Sequence, residues 1–96
     1  MKIQSIKHKG LRNFAEKGDV SGIPADFITR LRSILTLLNS AKSKDSLKAV
    51  RNLNFHDLNG NMAGYSALKV NKNFRVTFKL DEQSMLVYDV NLEDYH

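Results

Sequence analysis

Cysteine is absent from the 96-residue chain, which rules out disulfides and cysteine–zinc centres. The absence suits a reducing compartment. Long apolar runs are absent too. The opening "MKIQSIKHKG" lacks the hydrophobic core of a signal peptide, and nothing approaches the roughly 18 consecutive apolar residues of a membrane span. A cytoplasmic protein with no membrane partner is the expectation. There is no glycine-rich phosphate loop before a helix, no paired-histidine metal helix, and no serine or cysteine nucleophile motif. No metal and no cofactor are therefore expected. "LNGNMAG" does carry glycines, but it precedes a strand pattern and reads as a turn.

What is present is basic charge, unevenly spread. Residues 1–53 hold eleven Lys/Arg against four Asp/Glu, a surplus of +7. Residues 54–96 hold four against six, a deficit of −2. A pI near 9.6 favours a polyanionic partner such as nucleic acid. The length fits one domain over residues 1–96 with a thin core, so an active site is expected as a shallow surface cleft.

The hydrophobic period changes along the chain. "KIQSI" alternates as a short strand does, and "KHKGLRNFAEKG" reads as a helix with Leu11, Phe14 and Ala15 on one face and Gly18 as its stop. Gly10 costs that helix about 1 kcal/mol relative to Ala unless it lies near the first turn. In "IPADFITRLRSILTLLNSA", Pro24 suits a first turn, and Phe27, Ile28, Leu31, Ile34, Leu35 and Leu38 form a wide apolar stripe. "KDSLKAVRNL" adds a helical turn capped by Asp45 or Ser43. After that the period is two. "GYSALKV", "FRVTFKL" and "MLVYDVNL" read as strands in successive antiparallel hairpins. Phe74, Val76, Phe78 and Leu80 are expected to face the helices, with Arg75, Thr77 and Lys79 on the open side. The fold class is α+β: an N-terminal strand and two to three helices packed on one face of an antiparallel sheet.

Three histidines remain as candidate proton-transfer groups: His8, His56 and His96. Taken singly, each has a plainer explanation. His8 sits between lysines, His56 can bond to Asp57 or to backbone in its turn, and His96 ends the chain. Arg75 has two readings, a solvated arginine shielding a strand or a clamp for phosphate. Tyr88 and Tyr95 can be apolar bodies with wet hydroxyls. As a set they suit metal-free RNA cleavage. That reaction needs a base for the ribose 2′-OH, a cation for the non-bridging oxygens and an acid for the leaving 5′-oxygen. Lys7, Lys9 and Arg12, with Arg30 and Arg32, are candidate contacts to RNA phosphates.

"IKHKGLRNFAEKGDVSGIPADFITRLRSILTLLNSA" resembles the opening of HigB-type toxins, within the RelE-like superfamily of toxin–antitoxin systems. The marks are "HKGL", then "EKG", then "SGI" before a long helix. "LNFHDLNGNMAGYSALKVNKNFRVTFKL" carries that family's His–x–Leu–x–Gly turn and its Asn-aromatic-Arg-hydrophobic-Thr-Phe run, and the ending "EDYH" is similar to the family's ending. The resemblance implies a RelE-like fold and a ribosome-dependent mRNA endonuclease. It implies neutralisation by a HigA-type helix-turn-helix antitoxin, through which alone operator DNA would be touched. By position it carries catalytic roles to His56, Arg75, Tyr95 and His96. Arg75 would hold the scissile phosphate, either histidine would be base or acid, and Tyr95 would orient the nucleotide or share in proton transfer. Three rivals stand beside it: a non-catalytic co-regulator of a DNA-binding antitoxin, a ribosome binder that blocks translation without cutting, and, weakest, a metal-dependent nuclease. The sequence departs from the family where Tyr65 and Phe74 replace the common tryptophans, and where Asp57 follows His56 in place of a common proline.

Overall fold

The computed structural model describes residues 1–94. Its elements are β1 (Lys2–Ile3), α1 (Lys9–Lys17), α2 (Ile28–Ser40), α3 (Lys44–Lys48), β2 (His56–Asp57), β3 (Tyr65–Lys69), β4 (Phe74–Asp81) and β5 (Leu86–Asp94), with short 3-10 turns at 25–27, 51–53 and 60–62. The five strands form one sheet in the order β1-β5-β4-β3-β2. The meander β2 to β5 is antiparallel: β3, β4 and β5 are the successive hairpins read from the sequence, and β2 is a further strand that the sequence did not show. At the edge, β1 pairs parallel with β5, so the sheet is mixed. The alternation in "KIQSI" marks the strand but not its distant partner or its direction.

The helices cover one face. Leu31, Ile34 and Leu38 of α2 are fully buried against Leu68, Val76, Phe78, Val87 and Val90 of the sheet. The Phe27 and Phe74 rings meet at 5.0 Å, which fixes the helix-facing side of β4. In α1, Leu11 and Phe14 are buried, whereas Ala15 lies exposed beyond the stripe. Gly18 closes α1 in the left-handed conformation at φ 71°, and Ser43 caps α3 by accepting from the Ser46 amide. Pro24 stands one 3-10 turn ahead of α2 rather than inside it.

Two glycines explain one another. A Cβ at Gly10 would lie 2.3 Å from the Gly22 carbonyl oxygen, and one at Gly22 would lie 2.8 Å from the Gly10 Cα. The first turn of α1 therefore rests directly on the loop that leads into α2, and neither backbone has room for a side chain. Gly10 sits at the helix start, where its propensity cost is least.

Candidate active site on the open sheet face

With Val76 and Phe78 buried under the helices, strand alternation sends Arg75, Thr77 and Lys79 to the opposite face. Register supplies their neighbours. Arg75 stands between Lys69 on β3 and Glu93 on β5, and Thr77 between Ala67 and Asn91. His56 pairs with Ala67, so it lies in the Thr77 row on the same face. From ordinary strand spacings, the His56 and Arg75 Cα atoms are about 12 Å apart, a gap that their long side chains can close upon a shared substrate.

Arg75, Thr77 and His56 are each held by a specific partner. Nη2 of Arg75 lies 3.7 Å from Oε1 of Glu93, and the Thr77 hydroxyl donates to Oε2 of the same carboxylate at 2.5 Å. Thr77 is consequently only 1% exposed although it points away from the core. The hairpin ahead of Arg75 is pinned by Asn71, whose Oδ1 accepts from the Asn73 and Phe74 amides, both at 2.8 Å. The Nδ1 of His56 lies 3.0 Å from the Asn54 carbonyl oxygen. A carbonyl can only accept, so Nδ1 carries the proton and Nε2 is the basic nitrogen of the neutral ring. His56 itself is exposed.

Asp57, the residue next to His56, takes no part in setting that ring. As its strand neighbour it points to the opposite face. There it accepts the Ser66 hydroxyl at 2.8 Å and pairs with Lys44 at 3.2 Å, and Lys44 also meets Glu82 at 3.5 Å. The Ser66 bond, helped by the bond to and charge of Lys44, holds the Asp57 carboxyl below its ordinary value, and burial offsets part of the shift. The effect is to tie β2 to β3 and α3 from behind.

The other candidates separate. His8 caps α1, its Nδ1 accepting from the Leu11 amide at 3.0 Å. Lys7, Lys9 and Arg12 are exposed at the start of α1, with Arg12 donating to the Ile6 carbonyl at 3.2 Å. Arg30 and Arg32 belong to the helix layer. Arg30 ties α2 to the Lys69 and Asn52 carbonyls at 3.2 and 2.6 Å, and Arg32 lies over the Phe14 ring at 5.6 Å. Tyr95 and His96 lie outside the described residues. The last described position, Asp94, stands opposite Phe74, one place along from the Arg75–Glu93 pair.

Sequence reasoning missed Glu93 as the shared partner of Arg75 and Thr77. Pairing "FRVTF" antiparallel with "VNLED" in the right register would have found it. Among the described residues, no three His, Cys, Asp or Glu side chains cluster as metal ligands would, and no helix is long and apolar enough to cross a membrane.

Comparisons with known proteins give the family and the fold. The chain is 36% identical over 94 residues to Endoribonuclease HigB of Proteus vulgaris, covering 98% of this chain and 99% of that protein. Its fold is similar to the YoeB/ParE toxin from Agrobacterium tumefaciens (12% identity, all of both chains, TM-score 0.60). It is also similar to a chain of the YoeB–YefM complex from Staphylococcus aureus, at 12% identity, with 100% of this chain and 97% of that one covered and a TM-score of 0.61. The fold is therefore RelE-like. The HigB-like toxin family, described as the RelE-like toxin of type II toxin–antitoxin system HigB, matches residues 4–96, and the chain belongs to that family.

Proposed function

We propose that this toxin is an endoribonuclease that enters the ribosome and cuts mRNA on the open sheet face by metal-independent acid–base chemistry. The observation that carries the reading is the pairing on one face of an exposed imidazole, its basic Nε2 set by the Asn54 carbonyl, with a strand arginine. The name of the Proteus vulgaris relative supports the activity.

In this reading the ribose 2′-OH attacks the adjacent phosphorus and gives its proton to a histidine. The P–O5′ bond breaks, and a second group protonates the leaving 5′-oxygen. The products are a 2′,3′-cyclic phosphate and a free 5′-hydroxyl. Arg75 holds the non-bridging oxygens as negative charge builds, a role worth about 10²–10³ in rate where one such donor is removed. Its guanidinium carries five N–H donors, and the carboxylate of Glu93 holds the plane of the group in place until phosphate arrives.

His56 and His96 share the proton transfers, and Tyr95 orients the nucleotide. Chain connectivity supports including the last two residues. Two residues span at most about 7 Å beyond Asp94, whose neighbour in the sheet is the residue before Arg75. Lys7, Lys9 and Arg12 are exposed and available to ribosomal RNA phosphates, whereas Arg30 and Arg32 have structural work in the helix layer. The cognate partner is a HigA-type helix-turn-helix antitoxin, and operator DNA is reached only through it. The chain forms one domain.

Primer extension on a defined mRNA tests this, with purified protein, with and without programmed ribosomes. Cuts within codons only when ribosomes are present, lost with His96→Ala, are expected. They should persist in EDTA under conditions where the ribosomes stay intact. Uncut mRNA with arrested translation would replace this reading by a ribosome binder that does not cut.

A further inference from the structure

Tyr65 and Asp89 sit on the open face and take no part in the scheme above. Their contact has an unusual span. Tyr65 is on β3 and Asp89 on β5, with β4 between them, so two strand spacings, about 9.6 Å, separate their backbones. Yet the Tyr65 hydroxyl donates to Oδ2 of Asp89 at 3.0 Å. Strand side chains ordinarily stand up from the sheet. To make this bond the phenol must lie down across β4.

The backbone of β5 is built to receive it. Thr77 pairs with Asn91 and Lys79 with Tyr88, so Asp89 and Val90 together oppose the single residue Phe78. Asp89 is in the left-handed region at φ 56°, and its amide donates to Oγ of Ser5 at 2.8 Å. The bulge re-aims one side chain, and the one it re-aims is the carboxylate that holds Tyr65. The bond to Asp89, then burial, then the charges of Asp89 and Glu93 raise the Tyr65 phenol above its ordinary value, so it remains a donor at neutral pH.

A tyrosine laid over a sheet and fixed at its far end presents a flat aromatic surface. Its position is next to Lys79, about 7–14 Å along β4 from Arg75. The neighbouring carboxylates of Asp89 and Glu93 disfavour a phosphate at this spot but do not disfavour an uncharged base. We propose that the Tyr65 ring is the floor on which a base of the RNA strand stacks, beside the nucleotide whose phosphate Arg75 holds, and that Asp89 is the positioning residue that keeps the ring flat. The inference rests on the reading of this face as the RNA site.

The test compares full-length wild type with Tyr65→Phe, Tyr65→Trp and Tyr65→Leu in the cleavage assay on programmed ribosomes, with thermal unfolding measured on each. Stacking on an aromatic ring contributes about 1–3 kcal/mol per base. Tyr65→Leu should therefore lower kcat/KM roughly 5- to 150-fold, Tyr65→Trp, which keeps a ring and an N–H donor, should stay within about 3-fold of wild type, and Tyr65→Phe, which keeps the ring but loses the bond to Asp89, should fall between them. Equal losses in all three variants, tracking lost thermal stability, would make the contact a staple between strands and overturn the inference. An unimpaired Tyr65→Leu would overturn it as well. If Tyr65→Leu fails to fold, Tyr65→Trp decides: retained activity supports the floor, and a loss contradicts it. A wild type that cuts no RNA would remove the reading of the site, and this inference with it. An active wild type with an indifferent Tyr65 removes this inference alone.

Discussion

The two faces of the sheet are built on different principles. The helix-covered face is apolar and interlocked: Leu31, Ile34, Leu38, Val76, Phe78, Val87 and Val90 are all fully buried. Identity matters little there beyond shape and volume. The open face is polar, and several of its groups are held by one specific partner each: His56 by a carbonyl, Thr77 and Arg75 by Glu93, Tyr65 by Asp89. The covered face supplies the stability that lets the other spend its side chains on orientation. Stability and chemistry should accordingly be separable by mutation.

The largest expected effect on folding comes from the covered face. Phe78→Ala removes a fully buried ring that meets Phe55 at 6.4 Å, and should cost about 3–5 kcal/mol, read from urea unfolding. A loss below about 1 kcal/mol would mean that the layer relaxes around the gap, and the contrast would weaken.

Gly10→Ala should cost less, about 1–3 kcal/mol, by forcing α1 away from the Gly22 loop. The sign is the informative part, because helix propensity alone predicts stabilisation of about 1 kcal/mol. A more stable Gly10→Ala variant would contradict the close approach.

The smallest effect concerns the tie behind His56. The Asp57 carboxyl is depressed in the folded state, so its contribution is present above its ordinary value of 3.8 and fades as pH falls through the lower, folded value. With the carboxylate largely exposed, Asp57→Asn should cost about 0–1 kcal/mol at neutral pH, and the difference from wild type should shrink below about pH 4. Urea midpoints across pH 3–7 would show it. A difference that grows toward acid would reverse the assignment.

The same contrast explains what could be read in advance. The covered face announces itself by period: the stripe from Phe27 to Leu38 and the alternation from Phe74 to Leu80 gave the helix, the strand and their facing sides. The open face depends on register, which period does not encode. Lacking any reason to make "HD" a strand, the sequence reading left Asp57 free to set the His56 ring, whereas β2 turns it to the far side. Glu93 opposite Arg75, and Asp89 aimed by a bulge, follow from pairings more than ten residues apart. Arg30 and Arg32 were chosen on charge alone, and charge does not reveal that carbonyls or an aromatic ring already occupy a guanidinium. Gly10 and Gly22 belonged to the motifs that carried the resemblance, "HKGL" and "SGI", but only the fold shows that they touch. Tyr95 and His96 rest on the family resemblance and on their attachment to Asp94.

The most direct test of the open face as the seat of the chemistry is a paired measurement on His56→Ala: its single-turnover mRNA cleavage rate on programmed ribosomes and its urea midpoint, both against wild type. Loss of a proton-transfer group should slow cleavage about 10²–10⁴-fold. The midpoint should barely move, because the exposed ring makes one bond to a turn carbonyl. A folded His56→Ala protein that cuts at the wild-type rate would contradict the account.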